Sequence, residues 1–464
     1  MSRFLKLMSV LAIVALIAVP AFAEVQNVKV SGDIDSKAIY RNNYDLKQGP
    51  VTANTDNDKD TWFNTITRIQ IDADLTDNVS TCVRLLNERD WNTEPAPGAG
   101  TSGETSIALD LANVKMKEMF YAPLTLTIGR QLLRFGSGLV VGDPDTNDAS
   151  TNSAIAAVDL SARKSFDAIR ATLDYNPLTV DIIMAKIDAD TSSTSANVGT
   201  GGLRNDQDLY GINAAYKFDQ YNSEAEAYVF LKNTRQGGAN LETDKVYTYG
   251  LRGSLEPISK LVVDAEIAMQ NGDYKTSTVS KDRSAWAGDV GAAYAIDYKW
   301  SPKVAARYSY RSGTKTGAAG NDDDTGDSKY KAWDTMFEDQ THGIIANQIF
   351  NGNNDGVDSN GHTLNVMAAA VPMQDLTLAV DYYYYKLAEE WESLVTTTRS
   401  LNSISQSVRK DDDLGQELDL SLAYDYTEDV KLGLTAGWFL PGKAFLKDNN
   451  EMASTIMADV KVSF

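Results

Sequence analysis

Residues Met457 to Phe464 read MADVKVSF, with Ala458, Val460, Val462 and Phe464 alternating against Asp459, Lys461 and Ser463. Successive side chains of a strand point to opposite faces, so such a segment has one apolar and one polar face. The pattern recurs along the chain. Val28, Val30, Ile34, Ala38 and Tyr40 alternate with Lys29, Ser31, Asp33, Asp35 and Lys37. Leu261, Val263, Ala265, Ile267 and Met269 alternate with Asp264, Glu266 and Gln270, and Leu418, Leu420, Leu422, Tyr424 and Tyr426 with Glu417, Asp419, Ser421 and Asp425. Strands of a soluble sandwich average about five or six residues. These segments run to ten or more and carry charge mid-strand, which fits a wall with lipid on one side and water on the other. A strand that ends a chain still needs partners for its N–H and C=O groups. Pairing with the first strand closes a barrel, so the pattern predicts Phe464 beside the strand at 28–41.

The other end reads MSRFLKLMSVLAIVALIAVPAFAEV. Two cations, Arg3 and Lys6, precede an apolar run from Leu7 to Val19 and the small-x-small Ala21-Phe22-Ala23. This predicts a secretory signal peptide at 1–23 and a mature barrel at 24–464. No other stretch approaches the roughly twenty apolar residues of a membrane helix, whereas a membrane strand needs only about ten. The single cysteine, Cys82, has no partner for an internal disulfide. The formal charge is −21, or −23 without Arg3 and Lys6. Such an acidic chain is unsuited to nucleic acid, whose phosphates it would repel.

Turn formers set the pairing: Thr76 to Asn78, Ala122-Pro123, Asn176-Pro177, Asp219 to Asn222, Glu256-Pro257, Ser301-Pro302, Pro372 to Asp375 and Thr427 to Asp429. Between these tight turns lie long polar stretches, of which 136–164, 313–361 and 388–410 are the largest. Regular alternation of short and long connections is how an outer-membrane barrel divides periplasmic turns from external loops. The expectation is an all-β transmembrane antiparallel barrel of about 18 strands, both ends periplasmic, with no proline inside a strand. Aromatics near strand ends, Tyr175, Phe218, Trp300, Tyr426 and Phe464 at one side and Trp62, Trp91, Tyr308, Tyr384 and Trp438 at the other, would form two interfacial girdles.

Several stretches carry a family resemblance. "IGRQLLRFGSGLVVGD" (128–143) is similar to the Gly-Arg-Gln and glycine-containing loop of the alginate-export porins, and "KSFDAIRATLDY" (164–175) to the strand that follows it there. "LGQELDLSLAYDY" (414–426) and "GWFLPGKAF" (437–445) resemble a later strand and an aromatic–Pro-Gly turn of the same family, in the same order. The resemblance implies an 18-stranded outer-membrane barrel passing anionic polysaccharide or small solutes. A terminal Phe464 also resembles the signal read by the barrel-assembly machinery. The acidic charge departs from the basic pore of the alginate exporter.

By alternation the lumen receives Arg68, Arg84, Arg170, Arg252 and Arg307, together with Asp72, Asp264, Glu266, Glu417 and Asp419. Arg130 breaks alternation with Ile128, and a bulge at Gly129 would turn it inward. Arginine forks suit carboxylates, yet these arginines can equally neutralise neighbouring lumen acids. "YKAWDTMFEDQTHGIIANQIFNGNN" (330–354) mixes aromatic and aliphatic residues into a loop, so 313–361 is a candidate constriction or plug, or else a cap or subunit contact. No Asp-rich tract matches a full calcium-loop pattern, so no metal or cofactor is expected. With two histidines, His342 and His362, and no hydrolase motif, the chain reads as a non-enzyme. The function expected is passive diffusion of small hydrophilic or anionic solutes, saccharides such as alginate among them. A structural or adhesive barrel with a plugged lumen is the alternative, and an outer-membrane hydrolase near His342, Asp334 and Asp339 a further one.

Overall fold

The computed structural model describes residues 26–47, 59–92, 107–144, 158–189, 206–235, 243–275, 280–315, 328–350, 355–391, 397–401 and 404–464. The signal-peptide segment and the acidic tract 321–327 lie outside them. In chain order the strands are β1 (Asn27–Asn42), β2 (Lys59–Thr76), β3 (Val79–Asp90), β4 (Ala108–Met116), β5 (Leu124–Leu132), β6 (Ser165–Asp174), β7 (Leu178–Asp188), β8 (Gln207–Phe218), β9 (Ser223–Arg235), β10 (Thr243–Ile258) and β11 (Leu261–Lys275). They continue with β12 (Ser280–Ala295), β13 (Lys303–Arg311), the short β14 (Lys329–Tyr330), β15 (Gly361–Met373), β16 (Leu376–Leu387), β17 (Thr397–Leu401), β18 (Ile404–Val408), β19 (Asp413–Asp425), β20 (Val430–Pro441) and β21 (Ala453–Ser463). All but β14 and the β17–β18 hairpin belong to the wall, an antiparallel barrel of 18 strands.

Closure is by β1 on β21, from Asp33 opposite Ser463 to Asn42 opposite Ser454. Phe464 prolongs the ladder, accepting from the Gly32 N–H at 2.8 Å and donating to its carbonyl at 2.9 Å. Three strands run further than turn chemistry predicts, β20 ending on Pro441 itself. Pro257 and Pro372 lie inside β10 and β15, at the register shifts between Leu255 and Ile258 and between Ala370 and Met373. A bulge at the strand end excuses the missing N–H.

The outer face is largely apolar, with Ile182 and Met184 of β7 exposed while the alternating Ile183 and Ala185 are buried. Tyr175, Phe218, Trp300, Tyr426 and Phe464 are exposed at the short-turn end. Trp62 departs from the expected girdle. Its alternation in β2 with exposed Phe63 turns it into the lumen, where the Arg41 guanidinium lies 5.4 Å from its ring centroid.

Two connections fold back into the barrel. Leu133, Phe135 and Leu139 to Val141, after β5, pack with Trp333, Met336 and Phe337 from the β14–β15 connection against Phe166, Ile183, Leu209, Phe230 and Ala285 of the wall. Further along the second connection, Ile345, Ala346, Ile349 and Phe350, around the single-turn helix α1 (Ala346–Ile349), pack on Tyr385, Leu414 and Phe439. Of the long segment expected to constrict, plug or cap the lumen, residues between Trp333 and Phe350 pack against the inward side of the wall.

Candidate functional site

Wall carboxylates hold the two inward loops by their backbone. The Gly136 N–H donates to Glu226 Oε1 at 2.9 Å and the Ser137 N–H to Glu266 Oε2 at 2.8 Å; Glu266 also accepts from the Tyr228 hydroxyl at 2.7 Å. On the facing wall, Ile345 and Ala346 N–H donate to the two oxygens of Glu417 at 2.8 and 2.7 Å, and Ile344 N–H to Asp419 at 3.2 Å. The loops also bond each other: Phe337 N–H to the Val140 carbonyl at 3.0 Å, Gly142 N–H to Phe337 at 2.7 Å and Asp339 N–H to Gly138 at 2.8 Å. Asp334 anchors the second loop to β9 and β12, with Lys232 Nζ at 2.5 Å and Arg283 Nη2 at 3.4 Å. Burial pushes its carboxyl up, but the two cations outweigh burial and hold it down at about 2.

Between the loops and β13, β15 and β16 remains a cavity of about 540 Å³, lined by Arg134, Ser137, Arg307, Ser309, Asp339, Gln340, Thr341, His342, Thr363, Asn365 and Tyr383. Asp339 accepts from both Arg134 and Lys164. Arg307 reaches Asp264 at 2.8 Å across β12 at Gly291, where a Cβ would stand only 2.7 Å from the guanidinium. Arg134, Lys164 and Arg307 are each more than a third exposed. Behind them Arg311 is sealed against Asp289 at 2.9 Å and donates to Gln340 at 2.5 Å. Burial, with Arg311 adding, lowers the His342 imidazole to about 4, so it is neutral at pH 7.

The residues singled out by alternation divide into three groups. Arg68, Arg84, Arg170, Arg252 and Arg307 face the lumen, each beside a carboxylate. Arg68 forks onto Asp33 at 2.8 and 2.7 Å, Arg170 onto Asp181 at 2.7 and 2.9 Å, and Arg84 meets Asp110 at 2.5 Å. Arg252 lies 3.6 Å from Glu224 and 3.7 Å from Glu226, while Asp72 accepts from Gln70 at 2.8 Å. Asp264 also faces the lumen, as the partner of Arg307. Glu266, Glu417 and Asp419 point inward but are buried beneath the loops they hold.

Arg130 is a correction. It stands opposite Asp167 in the ladder, on the outer face with exposed Ile128, Leu132 and Ile169. Gly129, at φ 114°, kinks β5 without adding a residue: it still pairs with Asn113 and Ala168. Gln131 is the residue that turns inward, its Nε2 donating to the carbonyls of Thr127, Gly129 and Ala168 at 3.2, 3.2 and 2.9 Å.

Sequence reasoning missed Arg134, Lys164 and Gln340, which sit on or beside loops, and named Asp339 only for the hydrolase alternative. A signal was present: 227–231 (AYVFL) and 182–185 (IIMA) are apolar on both faces, so something apolar must cover the inner one.

The model of the family described as alginate export matches residues 35–459. The chain belongs to the alginate-export family. No curated protein sequence matches it significantly. Among solved structures it is similar to OpdK of Pseudomonas aeruginosa, at TM-score 0.53 and 10% identity over 95% of this chain and 99% of that one. It is also similar to OccK2 (OpdF) of P. aeruginosa in complex with glucuronate, at TM-score 0.52 and 10% identity over the same shares of each chain. OccK8 (OprE) of that organism follows at TM-score 0.51 and 13% identity, over 95% and 98%. At such identities the likeness is one of fold. Family and fold together are those of an outer-membrane porin-type barrel.

Proposed function

We propose that this alginate-export barrel is a passive channel for small anionic solutes, saccharide acids among them, and that the path runs through the cavity beside residues 338–342. The observation that carries the reading is the charge on that cavity. Arg134 and Arg307 line it beside Asp339, with Lys164 bonded to Asp339 and Asp264 to Arg307 just outside the lining, in a chain that is otherwise strongly acidic. Low-dielectric walls concentrate such a local field. The guanidinium fork matches a carboxylate, and Gln340, Thr363 and Asn365 offer the hydrogen bonds a hydroxylated solute needs. The cavity wall sets size, and the excess cation sets charge preference.

The family's description brings alginate into this class; an extended polymer would have to displace the inward loops. Single-channel recording in a planar bilayer under a salt gradient tests the proposal. Stable conductance with a reversal potential on the anion side is expected, shifting toward cations in Arg134→Gln and Arg307→Gln. Cation preference in the wild type would overturn the anionic reading, and a barrel that inserts but never conducts would overturn the channel.

A further inference from the structure

Charge also runs along the outside of the barrel. Arg130, Asp167, Lys186, Asp208, Asn233 and Lys245 are successive cross-strand partners on β5 to β10. They face outward, because Ile169, Met184, Tyr210 and Tyr247, two residues along four of these strands, are exposed while Ala168, Ala185, Leu209 and Val246 between them are buried inside. The row is linked laterally. Arg130 lies 3.0 Å from Asp167, and Lys186 lies 2.9 Å from Asp208 and 3.2 Å from Asp206; Arg235 comes within 3.7 Å of Asp206.

Ionised groups facing lipid are costly at mid-bilayer and tolerated near its surfaces. From Lys186 the outward residues of β7 down to the short-turn end, Met184, Ile182, Val180 and Leu178, carry no charge. That is about 27 Å of strand at about 3.4 Å per residue. Tilted by about 40°, it gives an apolar height of about 20 Å, close to the band of such barrels. The row therefore sits at headgroup level on the long-loop side, in the outer leaflet.

A second, independent observation lies beneath it. An apolar groove of about 600 Å³ crosses the outer face of β8 to β11, lined by Ile212, Val229, Leu251, Ile267 and Met269 around the small Ala227. Along β9 and β10 it begins about four residues below Asn233 and Lys245, about 13 Å at strand rise.

We propose that this face is a binding site for an anionic, phosphorylated lipid of the outer leaflet, its phosphate at the Lys186–Arg235–Lys245 end of the row and an acyl chain in the groove. With Arg235 and Asp206 the row holds four cations against three carboxylates, and Lys245 stands exposed directly above the groove. Ammonium groups suit phosphate as compact point charges. An acyl chain covers the groove lining without leaving a polar group unpaired. This site is independent of conduction through the lumen.

Native mass spectrometry of the barrel in detergent tests the assignment, comparing a phosphatidic acid with a phosphatidylcholine of identical acyl chains. The wild type is expected to retain the phosphatidic acid roughly tenfold or more tightly, in line with the attraction of surface lysines and arginines for anionic lipid. Replacing Lys245→Gln and Arg235→Gln together should bring the two lipids to within about threefold. Ala227→Phe, which fills the groove, should weaken both lipids while keeping the preference. Heat-modifiable migration confirms that each variant is a closed barrel, and the surface glutamine pair alters no packed side chain. Equal retention of both lipids by the wild type, an unchanged preference in the glutamine pair, or full binding by Ala227→Phe would each overturn the proposal.

Discussion

Asp334→Asn isolates what holds the long loop in the lumen. Asp334 is buried between Lys232 and Arg283, themselves largely buried, and its backbone is bonded in both directions to the Gln270 amide, at 2.7 and 2.8 Å. Burial raises the carboxyl, the two cations lower it further than that, and it settles at about 2 against an ordinary 3.8. A carboxyl depressed in the docked loop contributes stability that is fully present above the ordinary value and lost as pH falls toward about 2. Nearly two pH units correspond to about 2–3 kcal/mol. Removing one member of a buried pair costs about 3–5 kcal/mol by general experience. The ranges meet near 3 kcal/mol, roughly a hundredfold in the docking equilibrium. Limited proteolysis reads that equilibrium when opening is fast relative to cleavage. At pH 7 cleavage within 331–345 should be about a hundredfold faster in Asp334→Asn than in the wild type. The gap should close as pH falls from about 3.8 toward about 2, since the wild-type carboxyl then also loses its charge. Taking the difference between two proteins cancels every other titrating group. A gap absent at pH 7, or one that persists at pH 2, would refute the reasoning.

Glu417→Ala leaves the Ile345 and Ala346 N–H groups without their acceptor, at about 1–3 kcal/mol each; noisier and larger single-channel currents are expected, with Glu417→Gln, which keeps one acceptor oxygen of the two, lying between it and the wild type. Arg307→Glu should move the reversal potential toward cations by more than Arg307→Gln, because it reverses charge at the cavity rather than removing it. Burial, with Arg311 adding, holds His342 down at about 4. The docked loop therefore keeps its full stability above about 6.5 and loses it as pH falls toward about 4, and His342→Gln should remove that step from a pH series of proteolysis rates. Gly129→Ala forces a side chain to φ 114° and onto the Ala112 carbonyl; a loss of at least about 1–3 kcal/mol should lower the temperature at which the barrel unfolds in a heat-modifiability series.

The wall was legible because lipid outside and water inside impose a period of two that survives over ten or more residues, and because tight turns need glycine, proline, asparagine or aspartate. The site was less so, for reasons that particular residues make concrete. Alternation reports which face a side chain takes, not what covers it. Glu266 and Glu417 point inward as expected, yet each ends under a loop whose amides it accepts, a contact between Ser137 and Glu266 or Ile345 and Glu417 that no local pattern encodes. Gly129 has two physical uses in a strand, to admit an extra residue or to clear space for a neighbour. Only the unbroken ladder on both sides shows the second, with Gln131 folded inward and Arg130 left outside.

The two-sided apolar stretches, by contrast, did carry the missing information. Phe230, between Val229 and Leu231, has no place in a wet lumen. Apolar material long enough to cover such residues lies in loops such as 330–354, whose Trp333, Met336 and Phe337 would otherwise face water. Each half of that mismatch is costly alone, and their sum vanishes when the loop folds in. An unexpectedly apolar inner face and an unexpectedly apolar loop are thus one signal, and together they point to a loop packed onto the inner wall.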